Sequence, residues 1–285
     1  MRWWPLFVAI AACGMQPRPR QVLFPTLERD ETYYTRISNL RTTLGRAGIA
    51  LRVAGHAETF ATYDCESKEA SMANGGCARC ELAGEEPQMD GAVIEATTRA
   101  FARYPTEVLV RSKIAHVAIC RKINHEKGET VEHPAGLADI HGHGLLLSLR
   151  YFLDQSVYRS GSDFTVDDIA HHEVFHLIEH ELMAHFYFDD PEWNALNPIG
   201  FGYRPTHNTE PRRDGFVNPY AATAPTEDKA SVFELLMAHP DDLCELAKSD
   251  EIVRTKTRII WQRVEAAVGT DSFMRATAPC VDWVD

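Results

Sequence analysis

A chain of 285 residues suits one large domain or two small ones. Its residues are 45% hydrophobic, enough to build a core, which excludes global disorder. The formal net charge of −12 has no basic stripe to offset it and excludes a nucleic-acid partner, because phosphate binding needs clustered Lys and Arg.

The first residues differ from the rest. Arg2 precedes an apolar run from Trp3 to Ala12 that is too short to cross a bilayer and reads as an export signal over residues 1–12. Ile10-Ala11-Ala12-Cys13 resembles a bacterial lipobox, in which the signal is cut before a cysteine that carries lipid. The resemblance implies an envelope lipoprotein. Gly14 stands where an Asp would mark inner-membrane retention, so the implied destination is the outer membrane. An ordinary secretory signal with an incidental Cys13 is the alternative. Residues 13–24, rich in Pro and Arg, then form a tether to a folded body over 25–285. Setting Cys13 aside leaves six cysteines: Cys65, Cys77, Cys80, Cys120, Cys244 and Cys280. An even set in an exported chain predicts disulfides, whose pairing stays open. A zinc knuckle of Cys65, Cys77 and Cys80 is the rival reading, and it lacks a fourth ligand nearby.

Along the body, Leu27, Tyr34, Ile37, Leu40 and Leu44 predict a helix to Ala47, stopped by Gly45 and Gly48. Residues 49–53 alternate like a short strand. Residues 61–88 read as a cysteine-rich, cross-linked loop insertion. Val93, Thr97, Ala100, Phe101 and Tyr104 share a helical face that Pro105 ends. Val108–Arg121 is rich in Val and Ile and predicts a strand, 122–138 a polar loop, and Asp139–Arg150 a second strand. A capping box at Thr165–Asp168 opens a helix that runs to about Asp189. Residues 190–225, full of Pro, Gly and Asn, show no period and predict a long functional loop. Two helices follow, from Thr226 to Lys248 and from Asp250 to Val268. This order predicts a single α+β domain.

The chemistry concentrates in residues 170–181, AHHEVFHLIEHE, where four histidines and three glutamates interleave with apolar side chains. On a helix, i and i+4 lie one turn apart on one face, so His172 and His176 can share a metal ion. Glu173 lies at the edge of the same site. Two imidazole ligands with an adjacent carboxylate are the arrangement of zinc hydrolases, in which the carboxylate takes a proton from the attacking water. His176 and His180 are also i, i+4, but Leu177 follows His176 and that pair has no base beside it. A surface helix of solvated histidines is the bland alternative, and Val174, Phe175, Leu177 and Ile178 fit it poorly. A third protein ligand is needed. A metzincin would place a His at 182 and a Gly at 179, whereas this chain has Leu182 and Glu179. A glutamate on a second helix is the remaining solution, and Glu227, opening a helix, is the candidate.

Tyr220, Glu227 seven residues later, then Ala230 and Phe233, together with the His-Glu-x-x-His helix, resemble the anthrax lethal factor-like gluzincin peptidases over residues 105–245. The likeness is nearest to exported zinc metallopeptidases related to that group. It implies a zincin-like fold, with a small twisted sheet packed on an active-site helix, and zinc held by His172, His176 and Glu227. It also implies Glu173 as general base, Tyr220 as hydroxyl donor to the oxyanion or leaving amine, and a peptide or protein substrate. One departure stands out. The family commonly has a second glutamate four residues after the ligand, where this chain has Ser231. That departure leaves a second function open: a non-catalytic envelope lipoprotein that binds peptide or protein. His141 and His143, i and i+2 on the expected strand, would sit near substrate, be solvated, or form a second metal site.

Overall fold

The computed structural model describes residues 31–53, 59–61, 77–82, 87–127, 130–148, 165–187 and 189–269. The expected signal, Cys13, the tether, Cys65 and Cys280 lie outside the described residues. Helix α1 (Glu31–Gly45) buries Ile37, Leu40 and Leu44 against α2 (Pro87–Ala102), as their helical spacing requires. Among the described residues, seven strands form one mixed sheet: β1 (Ala50–Arg52), β2 (Thr59–Ala61), β3 (Cys77–Leu82), β4 (His116–Lys127), β5 (Thr130–Glu132), β6 (Gly136–Asp139) and β7 (Gly144–Ser148).

Strand β4 is the axis of the sheet. Its first half runs parallel to β1 and β7, and its second half pairs antiparallel with β3 and β5. Cys120 stands at the change-over, opposite both Leu82 and Ser148. Val117–Cys120 and Leu145–Leu147 are fully buried, so these strands read as continuous apolar runs rather than alternating ones. Beyond β7, strand β6 closes the path antiparallel and faces the helix that carries the histidines.

Several expectations need correction. Val108 and Leu109 belong to a short helix, α3 (Thr106–Arg111), and the strand begins only at His116. A short apolar run has no period long enough to separate strand from buried helix, and here Pro105 starts a helix. The strand then continues to Lys127 through what reads as polar loop, which also holds β5 and β6. Cys77 and Cys80 lie on β3, a regular strand inside the expected insertion. Residues 140–143 form a turn, so His141 and His143 share no strand face. The Asp139 carboxylate accepts from the Gly142 N–H at 3.0 Å, and His143 adopts a left-handed φ of 51°. Gly144 is required where β7 starts, because a Cβ there would run into the His116 ring.

The helical half follows: α4 (Val166–Leu182), α5 (Ala184–Tyr187), α6 (Pro191–Ala195), α7 (Pro225–Ala238), α8 (Pro240–Ser249) and α9 (Glu251–Val268). Helix α4 stops at Leu182, short of the expected Asp189. The helix expected over 226–248 is two, because Pro240 removes a backbone donor and starts α8 at its first position. The 190–225 segment contains α6 and two single-turn 3₁₀ helices, Pro205–Thr209 and Tyr220–Ala222.

Cys80 and Cys120 are bonded to each other across β3 and β4, and Cys77 and Cys244 are each in a disulfide too. The Cys80–Cys120 bridge is fully buried and spans 40 residues of chain. Chain-entropy reasoning gives such a loop about 4 kcal/mol of stabilisation. Replacing both cysteines with alanine is expected to lower the free energy of urea unfolding by an amount of that order. Equal unfolding midpoints would show that the bridge constrains nothing.

Candidate metal centre

Helix α4 starts on a reciprocal cap: Thr165 Oγ1 accepts from the Asp168 N–H, and the Asp168 carboxylate accepts from the Thr165 N–H at 2.5 Å. From there the helix runs between the sheet and α7. Val174, Phe175, Leu177 and Ile178 are fully buried, with Phe175 against Phe233 of α7 at 4.9 Å between ring centres. His172 and His176 leave α4 on the side of α7, one turn apart, with ring centres 4.9 Å from each other. They are 5% and 7% exposed, so water does little to satisfy their nitrogens.

Helix α7 opens with Pro225 at its first turn, which places Glu227 among the free N–H groups of a helix start, a favourable place for a carboxylate. Glu227 Oε2 lies 2.9 Å from His172 Nε2 and 3.6 Å from His176 Nε2. Among the described residues, His172, His176 and Glu227 form the set of metal-ligating side chains whose donor atoms converge, all within 4.8 Å of one another. Two buried imidazole nitrogens facing one carboxylate oxygen are the nitrogen-and-oxygen donor set that suits zinc. Burial works against a charge on His172, but its hydrogen bonds to Glu227 and Glu234 outweigh it and hold the imidazole well above its usual range. For Glu227, burial is likewise outweighed by the two histidines, which hold the carboxyl well below its usual value.

Glu173 sits at the edge of this cluster. Burial raises its pKa, while His172, His176 and a hydrogen bond from the Ala138 N–H of β6 pull it down. Strand β6 approaches α4 so closely that a Cβ at Gly136 would meet Ile169 and Glu173, whose Cγ would be 2.9 Å away. Tyr220 is a further neighbour, its ring centre 5.7 Å from that of His172. The charge of Glu227, and then burial, push its phenol well above the usual value, so the hydroxyl keeps its proton and remains a donor.

The structure therefore brings together His172, Glu173, His176, Tyr220 and Glu227. His141 and His143 are elsewhere, at the far end of α4. His143 Nδ1 is 3.3 Å from Glu181, and the His141 ring meets that of His180 edge-on at 6.3 Å. Two groups escape the sequence reading. Glu234 Oε2 is 2.9 Å from His172 Nδ1, and the Ala138 N–H meets Glu173. Glu234 is two helical turns after Glu227, on the same face, so the period of the helix carried the signal. Ser231 is fully buried and its Oγ has no hydrogen-bond partner among the described residues. The Glu234 carboxylate stands one turn later on the same helix. A backbone N–H has no side-chain signature and was invisible in the sequence.

A carboxylate behind a ligating imidazole fixes which ring nitrogen carries the proton and makes the other a better donor. Burial pushes Glu234 up to about 7 against the pull of His172. Glu234→Ala is expected to weaken zinc binding by about 10- to 100-fold. Competition with a chelator measures it, and an unchanged affinity would remove Glu234 from the site.

No family model and no curated protein matches the chain. Among solved structures, it is similar to the "putative zinc-binding metallo-peptidase" of Bacteroides caccae, at 14% identity and a TM-score of 0.46, covering 89% of this chain and 93% of the other.

Proposed function

We propose that the chain is a zinc-dependent metallopeptidase of the gluzincin kind, resembling the anthrax lethal factor-like group. The convergence of His172, His176 and Glu227 from two separate helices, with Glu173 beside them, carries this reading. His172 and His176 would hold the ion through Nε2, and Glu227 through a carboxylate oxygen. Zinc held there would supply Lewis acidity, which makes water a nucleophile near neutral pH. Glu173 takes a proton from the attacking water on its carboxylate and delivers it to the departing amine. The hydrogen bond from the Ala138 N–H, which restrains that carboxylate, supports this role. Tyr220 donates its hydroxyl to the oxyanion as charge develops, a contact made mainly in the transition state. Glu234 holds the His172 ring in register.

The non-catalytic alternative rests on Ser231; the Glu234 carboxylate, 2.9 Å from His172 Nδ1, supports the catalytic reading instead. Export to the envelope belongs to the same proposal. It is supported by the apolar leader, by Cys13 after Ala11-Ala12, and by the disulfide-bonded Cys77, Cys80, Cys120 and Cys244.

Two experiments test these points. Glu173→Gln is expected to keep bound zinc and to lose peptide-bond hydrolysis by roughly 10²-fold or more, read on a peptide library. Zinc removal by a chelator should abolish the wild-type activity and zinc should restore it. Full hydrolysis by the variant would move the base elsewhere. For location, Cys13→Ser in a bacterial host should shift the protein from the membrane fraction to the soluble one and remove lipid mass from its N-terminus. Identical soluble fractions from both chains, without lipid, would leave plain secretion.

A further inference from the structure

Helix α7 carries three consecutive ionisable residues, Glu227, Asp228 and Lys229, and each meets a different element. Glu227 faces the histidines. Asp228 meets Lys256 of α9 at 2.6 Å. Lys229 turns toward α4: its Nζ lies 2.5 Å from Glu179 Oε1, donates to the Phe186 carbonyl at 2.5 Å, and stands 3.7 Å from Asp190. Lys229 and Glu179 are 0% and 1% exposed, so the protein oxygens replace water around the ammonium. Asp190 is held in turn by both arms of Arg263, at 2.5 and 3.2 Å, which fixes the far wall of the Lys229 pocket.

The placement relative to the site is what matters. Glu179 follows His176 by three residues on α4, and Lys229 follows Glu227 by two on α7. The ion pair thus lies within one turn of a metal-ligating residue on both helices. Phe175 on Phe233 and the other apolar contacts attract α4 and α7 but tolerate sliding and rotation, since dispersion is not directional. A lysine held by a carboxylate and a carbonyl at fixed places does not tolerate it.

Resting on the metal-centre reading above, we infer that Lys229 is a positioning residue: by clasping Glu179 and the Phe186 carbonyl it sets the rotation and register of α7 on α4. Glu227 is thereby held opposite His172 and His176. Lys229 touches neither the ion nor the substrate.

The test uses the full chain with Lys229→Met, Glu179→Met and the double variant, in which no buried charge of the pair is left alone. Replacing both partners of a buried pair with apolar residues is commonly tolerated by the fold, so the double variant remains measurable where a single one fails to fold. Zinc affinity is read by chelator competition, the geometry of the centre by the visible spectrum of the cobalt form, and folding by near-ultraviolet circular dichroism. The folded double variant is expected to bind zinc about 10-fold or more weakly, with an altered cobalt spectrum. Any single variant that folds should be similarly impaired rather than additive with the other. A folded double variant with wild-type zinc affinity and cobalt spectrum, whatever its melting temperature, would overturn the role and leave the pair as packing. A wild-type chain that binds no zinc would instead overturn the metal-centre reading itself, and this role with it.

Discussion

Charges buried between helices α4 and α7 are what the rest of the molecule is arranged around. The two helices carry opposite halves of the candidate centre, and they meet through His172, His176, Glu179, Glu227, Lys229 and Glu234, all of which sit in or at the edge of a dry interface. Such groups repel one another or demand water unless each finds a partner of opposite sign at hydrogen-bond distance. Removing one member of a buried pair costs roughly 3–5 kcal/mol, because the other is left without compensation. The arrangement therefore has little room for alternatives. His172 takes a carboxylate on each ring nitrogen, Lys229 takes Glu179, and the helices are fixed to one another by chemistry as well as by the apolar contact of Phe175 with Phe233.

The same logic orders the long segment before α7. It has no period and few regular residues, yet one carboxylate gathers several of its parts. Asp228 Oδ2 accepts from Lys256 at 2.6 Å, from Trp193 Nε1 at 2.9 Å and from the Tyr203 hydroxyl at 2.8 Å. Lys256 also donates to the Asn197 side chain and to the Gly215 carbonyl, both at 2.8 Å. Lys256 Nζ lies 4.0 Å from the centre of the Phe216 ring, a further electrostatic attraction. One residue beside Glu227 thus ties α6, the middle of the segment and α9 into one body. At Tyr220 itself the turn is local: the Asn218 side-chain oxygen accepts from the Ala221 N–H at 2.7 Å.

The sheet contributes through its edge. Strand β6 is short, begins at a glycine that lets α4 come close, and offers the Ala138 N–H to Glu173. A carboxylate that would otherwise be free to rotate is held by a rigid backbone donor. Buried strands β4 and β7 keep that edge in place from behind, and the Cys80–Cys120 bridge braces β4 at the point where its partners change.

The local sequence determined what local rules govern. The Thr165 cap, the one-turn spacing of His172 and His176, the glutamate beside them, and the Pro225 start that displays Glu227 all follow from helix geometry, which depends on near neighbours alone. Glu234 was within reach of the same rule, two turns on from Glu227. Where an apolar run was too short to show a period, as at Val108 and Leu109, sequence and structure parted. The turn at residues 140–143 carried Gly142 openly, yet the β-rich flanks outweighed it in a reading by pattern. The partners of Asp228 and Lys229 were decided by tertiary structure only. Lys256, Trp193, Tyr203, Glu179 and the Phe186 carbonyl come from distant stretches, and what selects them is the need of a buried charge for whichever opposite group the packing brings within reach.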